Sequence, residues 1–457
     1  MAPAQRPSYW RALATRERVG WIAYDWANSA FVLCVITVIG SAYFVGSFES
    51  AARQAGPLTV GPAPALRLAG VAVTAEAAWS LVVGLAAAIV AFSSPFLGAI
   101  ADSGGSKKRF LQAYCAAGVV ATLGLSFALP WWAVAALILV GTVGFEGGNV
   151  YYNAFLPEIA GVEERDAVSS AGFAFGYFGG VLALIGCLIF FVPPRGDVHQ
   201  AFLLVGAWWG GFALLTFALL RERRPEGRRA AGGGARGVLG ALRGTWRQLR
   251  GTVRELARMP QALRFLLAYL FYNDGIATLI SNATPYALQN IYLDPALTQH
   301  IGLNELIPAI IMIQLIAFPG SIFTGWLAGR IGEKSTLFAT LAVFTGVVSY
   351  GQVVTRLGEF YVMCAFIGLV LGGAQAISRS LFASFIPHGR AAEFFAFFAL
   401  SDKVSAMLGP LVYGGLLLLT GNTRFALLSL TVFFLAGGTV LSTVNIARGR
   451  ADAARAG

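Results

Sequence analysis

The chain of 457 residues contains about twelve apolar stretches, each long enough to cross a bilayer. One crossing takes roughly 20 residues in an α-helix. Hydrophobic residues make up 57% of the sequence, charged residues 12%, and the mean hydropathy is +0.69, which excludes an ordinary soluble domain of this length. The sequence therefore predicts an all-α polytopic protein with twelve transmembrane helices. They are predicted to begin near Val19, Ala77, Phe110, Trp131, Ser169, Val198, Leu263, Leu306, Ser335, Phe360, Phe394 and Arg424.

Lysine and arginine are distributed unevenly between alternate loops, and this bias sets orientation in membrane proteins. The amino terminus and one set of loops carry most of the positive charge, whereas the opposite loops hold five arginines. Both termini are therefore predicted to be cytoplasmic, as in a multi-pass protein of the cell membrane. The net charge of +11 follows the membrane edges, without a nucleic-acid-binding motif beside it, so we expect no nucleic-acid partner.

Two stretches, one in each half of the chain, repeat the same small and basic residues between apolar runs. Small residues let neighbouring helices approach closely, and basic residues anchor their ends at an anionic membrane surface. Gly329 stands in the second copy where the first has an acid, so only the first loop can form an aspartate-based cytoplasmic gate. The gate-loop candidates are Gly98, Asp102, Gly105, Lys107, Arg330 and Lys334.

The first of these loops resembles the signature G-x-L-A-D-x-x-G-x-K of the major facilitator superfamily. Ile100 replaces its leucine, and Ser103 and Ser106 stand where basic residues are common. The resemblance implies two pseudo-symmetric six-helix bundles around a central cavity. We expect these bundles at residues 1–220 and 263–457, joined by a basic cytoplasmic linker at 221–262.

The linker carries apolar residues at spacings of three and four from 239 to 256, with arginines between them. This pattern predicts a basic amphipathic helix lying on the cytoplasmic leaflet. A surface tether between the bundles is the favoured interpretation, and binding of a partner is the alternative.

Polar side chains inside the membrane are costly unless they are paired or hydrated, so they indicate function. Those found here fall mainly on the first, fourth, seventh and tenth helices, which line the cavity in major facilitators. Because a lone carboxylate near the midplane favours proton uptake, proton coupling through Glu146 and Asp274 is a hypothesis. The candidates for substrate binding or proton coupling are Asp25, Asn28, Glu146, Asn149, Asn153, Asn273, Asp274, Gln375 and Arg379.

Asp402 and Lys403 lie in the eleventh helix, at a depth that predicts an ion-pair network with Arg379. Two interpretations of this network remain open. It either holds the carboxy-terminal half together or takes part in binding the substrate.

Four motifs carry a more specific resemblance that spans nearly the whole chain. They resemble motifs of the family named "unknown major facilitators", which includes the vacuolar amino-acid effluxer linked to autophagy. The resemblance implies a permease with amino acids as its substrate, and the short loops are similar to those of a bacterial inner-membrane member. The motifs are YDWANSAF at 24–31, YNAFLPEI at 152–159, LAYLFYNDGI at 267–276 and GGAQAISRSLF at 372–382.

An amino acid suits the chemistry of these residues. Arg379 is expected to bind its carboxylate bidentately, and Asp25 or Asp274 its ammonium group. The aromatic residues expected to shape the side-chain pocket are Tyr24, Trp26, Tyr152 and Tyr272.

Two other functions stay open: a lipid or amphiphile translocator of the same fold, and a membrane receptor or assembly factor that transports nothing. The three histidines and four cysteines are scattered, with no catalytic or metal-binding spacing. We therefore expect no enzyme, cofactor or metal. The expected partners are a small solute, protons and the bilayer, and the expected state is a monomer.

Overall fold

The computed structural model describes residues 9–456, with gaps at 57, 61–62, 105, 192–195, 223–250, 252–253, 294–295, 297–298 and 388. Within this described part, ten helices are long and apolar enough to cross a membrane. Two further helices, Lys107–Gly124 and Glu333–Tyr350, have 18 residues each and complete the set of twelve. The predicted all-α polytopic fold is confirmed.

The twelve helices divide into two groups of six, and their observed starts lie within four residues of the predicted ones. The amino-terminal half contains α1 (Arg16–Ala55), α2 (Ala75–Gly104), α3 (Lys107–Gly124), α4 (Trp131–Ala154), α5 (Arg165–Phe190) and α6 (Val198–Leu219). The carboxy-terminal half contains α7 (Pro260–Asn290), α8 (Leu303–Ile331), α9 (Glu333–Tyr350), α10 (Leu357–Ala383), α11 (Ala391–Thr420) and α12 (Thr423–Ser442). A short final helix, α13 (Ile446–Ala456), follows.

The two halves contact each other through equivalent helices. Helix α2 packs against α11, and α5 packs against α8. A six-helix repeat relates α2 to α8 and α5 to α11, so these two contacts are pseudo-symmetric copies of each other. Helix α5 also packs against α10, and α4 against α11.

Helix α1 is locally unwound into a π-helix over Phe31–Val38. Thr37 donates its hydroxyl hydrogen to the carbonyl oxygen of Val32, five residues back, at 2.9 Å. Such π segments change the direction of side chains along a helix and are frequent at functional sites. Nothing in the sequence pattern predicts this one.

A small antiparallel sheet follows α1, where the sequence indicates only a loop. Its strands are β1 (Thr59–Val60), β2 (Ala63–Leu68) and β3 (Val71–Thr74), in the order β1-β2-β3. The turn between β2 and β3 has positive φ at Ala69 (48°) and Gly70 (86°). Two-residue hairpin turns of type I′ require positive φ at both positions, a conformation that glycine adopts without strain.

Both described chain ends lie on one face of the bundle, which we call the terminal face. There the backbone N–H of Asn445, between α12 and α13, donates to the side-chain oxygen of Gln261 at the start of α7, at 2.8 Å. At the start of α1, Nε of Arg18 donates to the carbonyl oxygen of Ile159, just beyond α4, at 2.9 Å. The opposite face, which carries the β-sheet, we call the distal face.

The halves are joined by polar contacts close to the terminal face. Nη1 of Arg165 donates to the carbonyl oxygen of Ala383 at 3.1 Å, and the hydroxyl of Ser380 donates to Asp166 at 2.5 Å. These contacts join the first turn of α5 to the last turn of α10 at the terminal face. The structure is therefore closed at that face.

Candidate functional site between the two halves

A cavity of about 420 Å³ lies between the halves, lined by α1, α4 and α5 on one side and α7, α8 and α10 on the other. It extends from Arg379 and Asp25, nearest the terminal face, toward Thr37, midway along α1, and Thr284, near the distal end of α7. Six of the sequence-predicted site residues line it. They are Asp25, Asn28, Asn149, Asn153, Gln375 and Arg379.

Arg379 crosses from α10 into the amino-terminal half, where its guanidinium makes five hydrogen bonds. Nε donates to the hydroxyl of Ser169 at 2.9 Å, and Nη2 to the carbonyl oxygen of Ser169 at 2.8 Å. Nη1 donates to the side-chain oxygen of Asn153 at 3.2 Å. Nη1 and Nη2 both reach Oδ2 of Asp25, at 3.4 and 3.5 Å. Since a guanidinium has five N–H donors, Arg379 is saturated in this conformation.

Three aromatic rings of the amino-terminal half surround the same guanidinium. Its Cζ lies 4.6, 5.6 and 4.3 Å from the ring centroids of Trp21, Tyr152 and Phe173. Cation–π attraction at such distances strengthens as water is excluded, and only 4% of Arg379 is exposed. Arg379 is thus bound by its partner half on every side.

Asp25 and Arg379 form what we call the floor pair. Asp25 also accepts a 2.6 Å hydrogen bond from the hydroxyl of Tyr152, which belongs to its own half. Among the described residues that line the cavity, these two are the only ionised ones. The cavity lining therefore carries no net charge.

Two pairs of neutral polar side chains also line the cavity. Nδ2 of Asn28 donates to Oδ1 of Asn149 at 3.0 Å, within the amino-terminal half. The hydroxyl of Tyr177 donates to Oε1 of Gln375 at 2.7 Å, across the two halves. The lining contributed by α7, α8 and α10 is largely aliphatic toward the distal face, with Leu279, Ile280, Ile310, Ile313, Ile367 and Leu371.

A second cluster joins α4 to α11 away from the cavity. Nζ of Lys403 lies 2.7 Å from Oε1 of Glu146 and 3.0 Å from Oδ2 of Asp402. Oδ1 of Asp402 accepts hydrogen bonds from Asn273 at 2.9 Å and Tyr269 at 3.2 Å. We call the contact between Glu146 and Lys403 the α4–α11 pair.

This arrangement corrects the predicted network of Arg379 with Asp402 and Lys403. Arg379 pairs with Asp25 instead, because α10 packs against α5, whereas α11 packs against α2 and α4. Depth along the helix axis places the three residues at similar levels but says nothing about which neighbour each helix faces. The prediction is wrong for Arg379 for that reason, whereas the predicted pair of Lys403 with Asp402 is present.

Asp274 and all four of the expected pocket aromatics are absent from the cavity lining. Asp274 is fully buried beside Thr278 and Gly409, where α7 crosses α11. Tyr24 and Tyr272 are buried, and Trp26 stacks on Trp208 at 5.6 Å, so these rings pack within their own halves. Tyr152 contacts the floor pair, and the rings that line the cavity are Phe145, Phe173 and Tyr177.

The first gate loop contacts the opposite half. Oδ2 of Asp102 accepts a 2.9 Å hydrogen bond from the backbone N–H of Glu393, in the first turn of α11, and so caps that helix. A Cβ at Gly98 would lie 2.8 Å from the carbonyl oxygen of Ala392, so only glycine allows this approach. Lys107 pairs with Glu158 and lies 3.7 Å from Asp102.

The second gate loop is bound within its own half. Nζ of Lys334 donates to the carbonyl oxygens of Ser442 and Val444 at 2.6 and 2.8 Å. The guanidinium of Arg330 lies over the ring of Trp326, 4.4 Å from its centroid. Gly105, also predicted for the gate, lies outside the described residues.

Most of the predicted linker helix also lies outside the described residues. Its last turn, at 254–258, is helical. Glu255 pairs there with Arg390, and Leu256 is buried, so this end of the linker contacts the loop between α10 and α11.

Comparison with known proteins gives the family. The family described as "Vacuole effluxer Atg22 like" matches residues 14–454, which is nearly the whole chain. The chain belongs to this Atg22-like family.

Two relatives of the Atg22-like chain match it along most of both lengths. The Bacillus subtilis protein named "Uncharacterized MFS-type transporter YxiO" is 28% identical over 445 residues, covering 94% of this chain and 95% of the relative. Autophagy-related protein 22 of Coccidioides immitis is 24% identical over 540 residues, covering 97% and 89%. The Atg22-like chain is accordingly a multi-pass membrane protein of the major facilitator type.

Solved structures agree on the fold. The human organic anion transporter MFSD10 has a TM-score of 0.68 at 14% identity, covering 95% of this chain and 100% of that one. The proton:xylose symporter XylE has a TM-score of 0.63 at 12% identity, covering 96% and 97%. The Atg22-like chain therefore has the major facilitator fold.

Proposed function

We propose that this protein is an alternating-access permease that carries amino acids, most of which are zwitterions without net charge. The observation that supports this cargo is the floor pair, the only ionised groups among the described cavity residues, with no net charge between them. A cargo that brings one charge of each sign leaves the cavity neutral. A net anion or cation would leave one charge uncompensated in a poorly hydrated site.

Capture of such a cargo requires Arg379 to leave the amino-terminal half. All of its hydrogen-bond acceptors, Asp25, Asn153 and Ser169, belong to that half. When the halves separate at the terminal face, these acceptors move away, and the planar fork of Arg379 becomes free for a carboxylate. Asp25 then becomes available to an ammonium group.

The positive charge of the terminal-face loops supports a cytoplasmic terminal face, following the positive-inside rule. On this proposal the cavity described here opens to the outside of the cell membrane. The protein then works as a monomer whose two halves rock about the cavity, with a proton as the second transported species.

A second candidate function is translocation of a lipid or another amphiphile. The aliphatic lining of α7, α8 and α10 favours it, as does a smaller apolar pocket of about 50 Å³ among α7, α8, α10 and α12. Such a cargo would place its polar head at the floor pair and its chain along Ile310, Ile313 and Ile367.

A thermal-shift screen of the purified protein separates these candidates. Amino acids, organic acids, amines and lysolipids are compared at two pH values. A bound ligand at a hundred times its dissociation constant stabilises the native state by about 2.7 kcal/mol. We expect stabilisation by amino acids in wild type and in the control Arg53→Lys, whose side chain is exposed at the distal end of α1.

Arg379→Lys should cut that stabilisation to about half or less at the same ligand concentration, because lysine lacks the planar fork. Wild-type stabilisation in Arg379→Lys would contradict the assignment of the carboxylate to Arg379. A response to lysolipids alone would favour the amphiphile translocator.

A further inference from the structure

Two ion pairs of the same polarity cross the interface between the halves. The amino-terminal half contributes the carboxylates of Asp25 and Glu146, and the carboxy-terminal half contributes the cations of Arg379 and Lys403. The floor pair joins α1 to α10, and the α4–α11 pair joins the two helices for which it is named. Opening of the terminal face must break both contacts, since each has one member in each half.

The two carboxylates differ in what they keep when the halves separate. Asp25 retains its 2.6 Å hydrogen bond from Tyr152, which lies in the same half. Glu146 has Lys403 as its hydrogen-bonding partner among the described residues, and Lys403 belongs to the other half. Separation therefore leaves Glu146 without a partner, whereas Asp25 keeps one.

The carboxy-terminal members of the α4–α11 cluster stay paired. Lys403 keeps Asp402, 3.0 Å away on the same helix, and Asp402 keeps its hydrogen bonds from Asn273 and Tyr269 of α7. Breaking the α4–α11 pair therefore raises the free energy mainly through Glu146, which is left as an unpaired carboxylate within the membrane.

We propose that Glu146 is a proton-binding site that is filled when the terminal face opens and emptied when Lys403 returns. This proposal deepens the proposed function and rests on its alternating-access part. The carboxylate gains one proton from the terminal-face solution and becomes a neutral acid. Closure releases that proton to the same solution as the ion pair re-forms, so this proton sets the conformation and is not itself carried across. No other bond changes.

The groups around Glu146 determine this pH response. Lys403 and Asp402 face it from α11, and Tyr269 faces it from α7. From α3, the ring of Tyr114 packs against Gly147, the residue that follows Glu146 on α4. Lysine and tyrosine keep one protonation state between pH 5 and 8, and Asp402 keeps its partners in both conformations. Glu146 is the group whose surroundings change.

Spin labels on the terminal face measure the conformation of the empty carrier. Val162→Cys, just before α5, and Ile331→Cys, at the end of α8, place one label on each half at residues that are 38% and 50% exposed. The four native cysteines are buried and should not react. Pulsed electron–electron double resonance then gives the populations of the short and long distances between the two labels from pH 5 to 8, without any cargo.

We expect the ratio of long to short distances to rise by up to tenfold for each unit of pH decrease, since one proton is taken up on opening. Glu146→Gln should remove this slope and leave the long distance populated at every pH. Lys403→Gln should flatten it as well, because Glu146 then lacks its partner in both conformations. The control Glu49→Gln, at the exposed distal end of α1, should keep the wild-type slope.

A wild-type slope in Glu146→Gln would overturn the proposal, as would a flat response in wild type. Loss of the slope in Asp25→Asn but not in Glu146→Gln would assign the proton to the floor pair instead. Because no cargo is present, failure of the amino-acid assignment leaves this result unaffected.

Discussion

At the scale of single residues, the position of Arg379 depends on a glycine of the opposite half. A Cβ at Gly172 would lie 2.5 Å from Oδ2 of Asp25, 2.8 Å from the ring of Trp21 and 3.0 Å from Nη2 of Arg379. Any side chain at this point of α5 would occupy space that the guanidinium and its acceptors need. The floor pair therefore requires glycine as much as it requires its two charged residues.

Gly172→Ala is accordingly expected to destabilise the protein by about 1–3 kcal/mol, because overpacking displaces the buried pair. Unfolding of the purified variant in detergent measures this effect. The control Gly46→Ala lies on α1, where a Cβ meets nothing within 4 Å, and should match wild type or exceed it slightly. Equal stability of Gly172→Ala and wild type would show that the floor pair tolerates a methyl group.

At the scale of helices, the closed terminal face depends on α2 meeting the start of α11. Gly98 allows the backbones to touch, and Asp102 caps the N-terminus of α11. The pseudo-symmetric contact between α8 and α5 also uses a glycine, Gly325, which packs against Ser170. Gly329 stands there in place of the acid, so it has no carboxylate to cap α5 as Asp102 caps α11.

Gly98→Val should therefore prevent closure at the terminal face. Overpacking of about 1–3 kcal/mol against Ala392 would shift the ratio of open to closed conformers by roughly 5- to 150-fold. The spin-label pair on α8 and the loop before α5 reads this shift directly. Gly84→Val on α2, where a Cβ meets nothing within 4 Å, is the control, and an equal shift there would contradict the assignment.

At the scale of the whole molecule, the sequence predicts the helices well because apolar runs of about 20 residues have few alternatives in a membrane. It also indicates Asp25 and Arg379, since ionised residues are rare there and stand in recognisable motifs. It misses their pairing, because the two residues are 354 positions apart and meet only when the halves assemble.

Other features escape the sequence for reasons of context. The π segment at Phe31–Val38 contains only residues that an ordinary apolar helix also contains. The cavity rings Phe173 and Tyr177 cannot be told from the many aromatic residues that pack against other helices or face lipid. Which ring faces the cavity is decided by the assembled bundle.

The capture of a zwitterion by Arg379 is tested most directly by counterflow in proteoliposomes. Liposomes loaded with an unlabelled amino acid should exchange it for labelled amino acid outside, and should exclude net anions and cations of similar size. In Arg379→Lys the apparent affinity should fall by roughly 10- to 150-fold, the equivalent of losing a charge-assisted hydrogen bond. Wild-type exchange in Arg379→Lys, or exchange of amphiphiles alone, would contradict capture of an amino acid at the floor pair.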